Sequence, residues 1–186
     1  MPGLAAEWFR YAFQLFNVKN IPVRRIEILE NETAFAGRFK IRTVRDLLDG
    51  RDLVHELHKH DFFFVLALQK GSGHHEIDFT DYTICDNSIF ILRPGQVHRL
   101  ELQAGCTGFL MEFDAGFYHP SDKISIQRLS KAINKNFCEL EVGRFNKLMA
   151  VLAYIFNEYD SKQEGYTEVI KANLDIFFIE FIRQSR

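Results

Sequence analysis

Three histidines in this 186-residue chain stand out as groups that could do chemistry: His58 and His60, one residue apart, and His98, three residues after Gly95. Neutral imidazoles are common metal ligands and equally common hydrogen-bonding groups. Side chains alternate faces along a strand, so His58 and His60 point the same way, together with Phe62, Phe64, Leu66 and Leu68. His98, entering after the Pro94-Gly95 turn, is placed to meet them near one rim. Three readings follow. The trio is a metal site (His58, His60, His98), a hydrogen-bonded structural group, or a set of contacts to an organic ligand. Asp61 faces the opposite side, and His74 and His75, just after Gly71-Ser72-Gly73, read as solvent-facing turn residues.

No nucleophile competes with this group. Ser72 and Ser88 fall in a turn and at a strand start, and the sequence holds no G-x-S-x-G elbow, phosphate loop or dinucleotide fingerprint. The expectation is no catalytic residue and no cofactor. Cys85, Cys106 and Cys138 are odd in number and lack C-x-x-C spacing, which reads as reduced thiols. The net charge of −2 gives no basic face for nucleic acid. Glu7 and Arg10 interrupt the N-terminal apolar residues, so no signal peptide is read there, and no uncharged run approaches a membrane span. The expected location is the cytoplasm, with no membrane partner.

The elements that must position the histidines are mostly strands. Asp61 to Gln69 is almost wholly apolar and reads as a strand covered on both faces. Gly71-Ser72-Gly73 reads as a hairpin turn, His74 to Phe79 as an alternating strand, and Asp86-Asn87 as a second turn. Ser88 to Leu92, Val97 to Leu102 and Gly108 to Phe113 are further strands, as are Arg25 to Leu29 and Phe39 to Arg42. Thr43-Val44-Arg45-Asp46 has the spacing of a capping box before a one-turn helix. Repeated short strands between turns predict an antiparallel sandwich or barrel.

Helices flank this unit. Leu4, Trp8, Tyr11, Leu15 and Val18 form an apolar stripe at helical spacing. Ser121 to Phe137 is polar and poorly periodic, a connecting helix or loop. Phe145, Leu148, Leu152, Ile155, Phe156 and Tyr159 predict an amphipathic helix, and a last one runs from about Thr167 to Arg183. The arc formed by Val169, Ile170, Leu174, Phe177, Phe178, Phe181 and Ile182 is too wide for one wet face. It predicts burial both on the strands and against a second copy. The 19 phenylalanines can fill such a core or line a cavity.

The segment His58-x-His60-Asp61-Phe62, the apolar strand, Gly71-x-Gly73, and Asn87-Ser88 through Pro94-Gly95-x-x-His98 resembles the cupin pattern. With the trailing helices it is more narrowly similar to the effector-binding region of AraC-type transcription regulators. The resemblance implies a mainly β fold with α elements. It would be a cupin-like antiparallel β-barrel, or jelly roll, followed by a C-terminal helical hairpin. It implies an N-terminal helix or arm over 1–20, a sensor barrel over 21–118 and a helical dimerisation region over 119–186. The implied ligand-binding residues are His58, His60, Phe62, Phe64, Leu66 and His98. The implied homodimer face is Phe145, Leu148, Leu152, Phe156, Leu174, Phe177 and Phe181. The partners implied are a small-molecule effector, a second copy, and DNA only through a helix-turn-helix domain beyond Arg186, which makes a truncated fragment the expectation. Metal-binding cupins add a glutamate where Phe64 stands here, so the resemblance favours sensing over a three-histidine metal enzyme.

Overall fold

In the computed structural model, residues 21–26 and 38–185 are described. The expected N-terminal helix, and the part of the Arg25–Leu29 strand beyond Ile26, lie outside them. The strands are β1 (Val23–Arg24), β2 (Phe39–Thr43), β3 (Leu53–His60), β4 (Phe63–Lys70), β5 (Gly73–Ile77), β6 (Thr80–Ile84), β7 (Ser88–Leu92), β8 (Val97–Leu102), β9 (Thr107–Phe113) and β10 (Phe137–Glu139). The helices are α1 (Val44–Leu48), α2 (Lys123–Ile133), α3 (Val142–Ser161) and α4 (Tyr166–Gln184). One sheet runs β1-β3-β8-β5-β6 and the other β10-β7-β4-β9-β2. This is the expected jelly-roll with a C-terminal hairpin; the sheets face each other as a sandwich and neither closes into a barrel.

The glycine turn after β4 differs from the expected hairpin. Gly71-Ser72-Gly73 joins β4 to β5, which lie in different sheets, so it is a crossover and not a hairpin. Glycine is required there by close approach: a Cβ at Gly73, whose φ is +141°, would sit 2.0 Å from the Glu101 carbonyl oxygen. The true hairpin is β5–β6, and it turns at Asp78 and Phe79, both with positive φ (48° and 64°). Asp78 is locked by its carboxylate, which accepts from the Val97 amide and the Gln96 side-chain amide. Without an Asn-Gly or Asp-Gly pair this turn carries no sequence flag. At α1 the expected cap is present, with the Thr43 hydroxyl oxygen accepting from the Asp46 amide. The polar stretch after Pro120 forms α2, and its far end adds β10 to the edge of the second sheet.

That second sheet is apolar on both faces, which explains why β4 and β7 read as continuous apolar runs. Phe64, Leu66, Leu68, Phe90, Leu92 and Leu110 turn into the sandwich, while Val65, Ala67, Ile89, Ile91, Met111 and Phe113 face the helices. Helix α4 lays Ile170, Leu174, Phe177, Phe178 and Phe181 on this outer layer, each at most 1% exposed. The expected dimer face therefore needs correction. Phe145, Leu148, Leu152, Leu174, Phe177 and Phe181 are fully buried within one chain, and Phe156 is half-buried against Phe109. The wide apolar arc is covered by the sheet and by α3, so a second copy is not needed to explain it. Among the described residues, no helix is long and apolar enough to cross a membrane.

Candidate functional site

The histidines meet because β8 lies between β3 and β5. His58 and His98 are directly opposed across the β3–β8 ladder, His60 lies two residues along β3, and His75 comes in from β5 on the other side of β8. A bulge between His55 and His58 re-aims the end of β3. His75 was expected in solvent; it is completely buried, because the strand alternation puts it on the same face as buried Ile77. That alternation was the available signal, masked by the glycine turn beside it.

The hydrogen-bond network assigns the tautomers. His58 Nδ1 lies 2.6 Å from the Glu56 carbonyl oxygen, so it donates, and Nε2 keeps a lone pair. His60 Nε2 lies 2.8 Å from His58 Nε2 and must supply the proton between them. His98 Nε2, 3.3 Å from the same His60 nitrogen, then shares that N–H as a second acceptor. Its Nδ1 donates to His75 Nε2 at 2.8 Å. Two ring nitrogens stay buried without a partner: His60 Nδ1, which the chain of donors leaves with a lone pair, and His75 Nδ1, left with its hydrogen.

Burial keeps the group neutral. It pushes His60 and His75 from the ordinary 6.5 down to about 3, with neighbouring imidazoles adding to the effect. Burial likewise lowers His58 and His98, and it takes His55, beside Arg24, to about 4. Neutral rings are also what a metal needs. One ring nitrogen from each of His58, His60 and His98 lies within 4.8 Å of the other two, and adjacent nitrogens around a tetrahedral ion stand at about 3.3 Å. An ion there would take the place of the one shared proton, with Glu56 and His75 holding the outer nitrogens of His58 and His98. The donor set would be wholly neutral. Where a carboxylate would complete it stands the Phe64 ring, 5.4 Å from His60 and 5.3 Å from His98, and among the described residues no carboxylate joins the group. The residues present thus make a continuous hydrogen-bonded chain, with His60 Nδ1 and His75 Nδ1 left unpartnered, and only a partial metal site.

Beside this network the sandwich opens into a cleft of about 450 Å³ between β1–β3 on one side and β2–β9 on the other. Of the six ligand-binding residues expected, His60, Phe62, Phe64 and Leu66 line it; His58 and His98 do not and stand behind His60. The Phe62 ring stacks on His60 with centroids 4.3 Å apart. Ile26, Leu47, Leu53, Leu100 and Leu110 complete the apolar lining, and Arg24, Arg25, Lys40, Arg42, His55 and Glu112 supply the polar part. This polar half was missed because Lys40 and Arg42 alternate with Phe39 and Ile41, a pattern that reads as charge facing water. The strand is the other way round: its apolar residues face the helices and its cations face the cleft. Asp61 does face away, pairing with Arg25 and Arg38.

Comparison with known proteins bears on this cleft. The family model for the AraC-like ligand binding domain matches residues 47–174. No curated protein matches the chain. Among solved structures, the chain is 13% identical to a cupin protein from Bacteroides fragilis, with 53% of this chain and 90% of that one covered at a TM-score of 0.34. It is 12% identical to the AraC-like transcriptional activator CuxR, with 77% and 49% covered at a TM-score of 0.41. It is 15% identical to ToxT from Vibrio cholerae in a structure with bound unsaturated fatty acid, with 84% and 56% covered at a TM-score of 0.42. The chain thus spans about half the length of these two regulators.

Proposed function

We propose a sensing role from one established premise: the chain belongs to the AraC-like ligand binding domain family. In this reading the cleft binds a small-molecule effector and the second sheet transmits the event. The observation that carries it is the cleft itself, an open site with an apolar wall and convergent polar groups, which is the usual form of a small-ligand site. Strands β4 and β9 have a cleft face and a helix face, so a ligand that shifts Phe64, Leu66 or Leu110 also shifts the seat of α3 and α4. Such coupling requires the effector to prefer one of two arrangements.

The same reading makes the chain the sensing part of an AraC-type transcription regulator. DNA contact would belong to a helix-turn-helix domain outside these residues, and two copies would pair through the α3–α4 hairpin. The hairpin's own phenylalanines are buried within the chain; Val142, Tyr154 and Ile176, 58%, 50% and 46% exposed, are the large apolar side chains it leaves available among the described residues. The histidine network supports the rim of the cleft in this account and performs no reaction.

Leu47, half-buried on α1 at the cleft wall, gives a direct test. In a thermal-unfolding screen against small organic acids, sugars and alcohols, at least one class should stabilise the wild-type chain, by about 2.7 kcal/mol at a hundredfold excess over Kd. Leu47→Trp, which fills the cleft from its rim, should remove that shift while leaving the circular dichroism spectrum unchanged. An equal shift in the variant would place binding elsewhere and overturn the reading.

A further inference from the structure

We infer that the cleft is built for an organic anion, a carboxylate carried on an apolar body. The inference rests on the reading of the cleft as the effector site and names the ligand's chemistry.

The first observation is the inward charge on β2. In a sandwich strand the residues facing the other sheet are ordinarily apolar, yet Lys40 and Arg42 face the cleft while Phe39 and Ile41 face the helices. Placing cations on an inner face is costly unless anions meet them there. Arg24 at the edge of the opposite sheet adds a third, with Arg25, already paired with Asp61, beside it, and among the described lining residues Glu112 is the sole carboxylate. Its pairing with Arg42 is loose, with Nη2 3.6 Å from the carboxylate oxygen. Arg42 Nε is buried without a hydrogen-bond partner, leaving one N–H of the guanidinium fork unused. A planar fork with an unused N–H is the group best matched to a carboxylate.

The second observation is the apolar surface beside these charges. Phe64, Leu66 and Leu110, from the same sheet as β2, and Leu100, from the facing sheet, line the cleft together with Phe62 and His60. His60 and His55 stay uncharged at neutral pH, so the anion is met by the arginines and Lys40. His60 Nδ1 is buried with an unpartnered lone pair, an acceptor for one donor on the ligand body, such as a hydroxyl. Cations converging from both sheets beside a continuous apolar lining select an amphiphilic anion over a neutral sugar, which needs polar partners on many sides.

Matched ligands test this by calorimetric titration of the whole chain: trans-cinnamate against cinnamyl alcohol, and decanoate against 1-decanol. Each acid should bind at least tenfold tighter than its alcohol, and the gap should narrow as sodium chloride is raised. Arg42→Gln should weaken the acids at least tenfold and leave the alcohols unchanged. Glu112→Gln should tighten the acids, because it removes the competing carboxylate; this opposite-signed result does not depend on how well Arg42→Gln folds. Equal binding of acids and alcohols, lost in Leu47→Trp, would overturn the anion inference and keep the sensing role. No binding by either set, together with no stabilising compound in the broader screen, would overturn both.

Discussion

Phe177→Ala is expected to destabilise the chain by about 3–5 kcal/mol, the cost of emptying a buried aromatic site. A domain of this size is typically stable by only about 5–15 kcal/mol, so much of its stability would go with one ring. Phe177 is fully buried, with the Phe178 and Phe181 rings at 5.4 and 6.3 Å, and the cluster they join continues through Phe113 to β4. Urea unfolding would read the loss as a lower midpoint at unchanged slope. Ile176, the preceding residue, is 46% exposed. Ile176→Asp should leave stability within about 0.5 kcal/mol and, if the hairpin pairs two copies, convert dimer to monomer in sedimentation. The reverse pattern, a stable Phe177→Ala chain that no longer associates, would return the apolar arc to a subunit interface.

Acid is expected to unfold this protein well above the carboxylate range. His60 and His75 are held near 3 in the folded chain against an ordinary 6.5, so the unfolded chain binds protons that the folded one refuses. Stability is therefore full above about pH 6.5 and falls as pH drops towards 3, by about 1.4 kcal/mol per pH unit for each ring. At pH 5 these two account for about 4 kcal/mol, and His98, lowered by the same burial, adds to the slope. Urea midpoints at pH 7.5, 6 and 5 would show the decline, and His75→Leu should make it shallower. A midpoint that does not move between pH 7.5 and 5 would mean that the rings are not buried neutral.

Much of this molecule was legible in its residues. The apolar runs of β4 and β7, the cap at Thr43 and the two C-terminal helices follow from periodicity and local chemistry, and His58, His60 and His98 meet as their strand positions imply. What was not legible is which sheet each strand joins. Gly71 and Gly73 mark a tight turn equally well whether the chain pairs with itself or crosses to the facing sheet, and that choice depends on partners such as Glu101, far along the sequence. The same ambiguity hid the cleft. Lys40 and Arg42 look solvated until β2 is known to turn its apolar residues towards α3 and α4. Likewise the arc of α4 shows how much surface must be covered, and a local pattern cannot distinguish the chain's own sheet from another subunit.

The central claim is that a small molecule enters between the sheets, and methyl-resolved NMR tests it most directly. With leucine and isoleucine methyls labelled, titration of decanoate should shift Leu47, Leu53, Leu66, Leu100 and Leu110, which line the cleft, before any other group. Smaller shifts should follow at Leu148 and Leu174 behind the second sheet, where the helices would report the event. Shifts confined to exposed Ile124, Ile126 and Ile176, with the cleft leucines unmoved, would contradict the account.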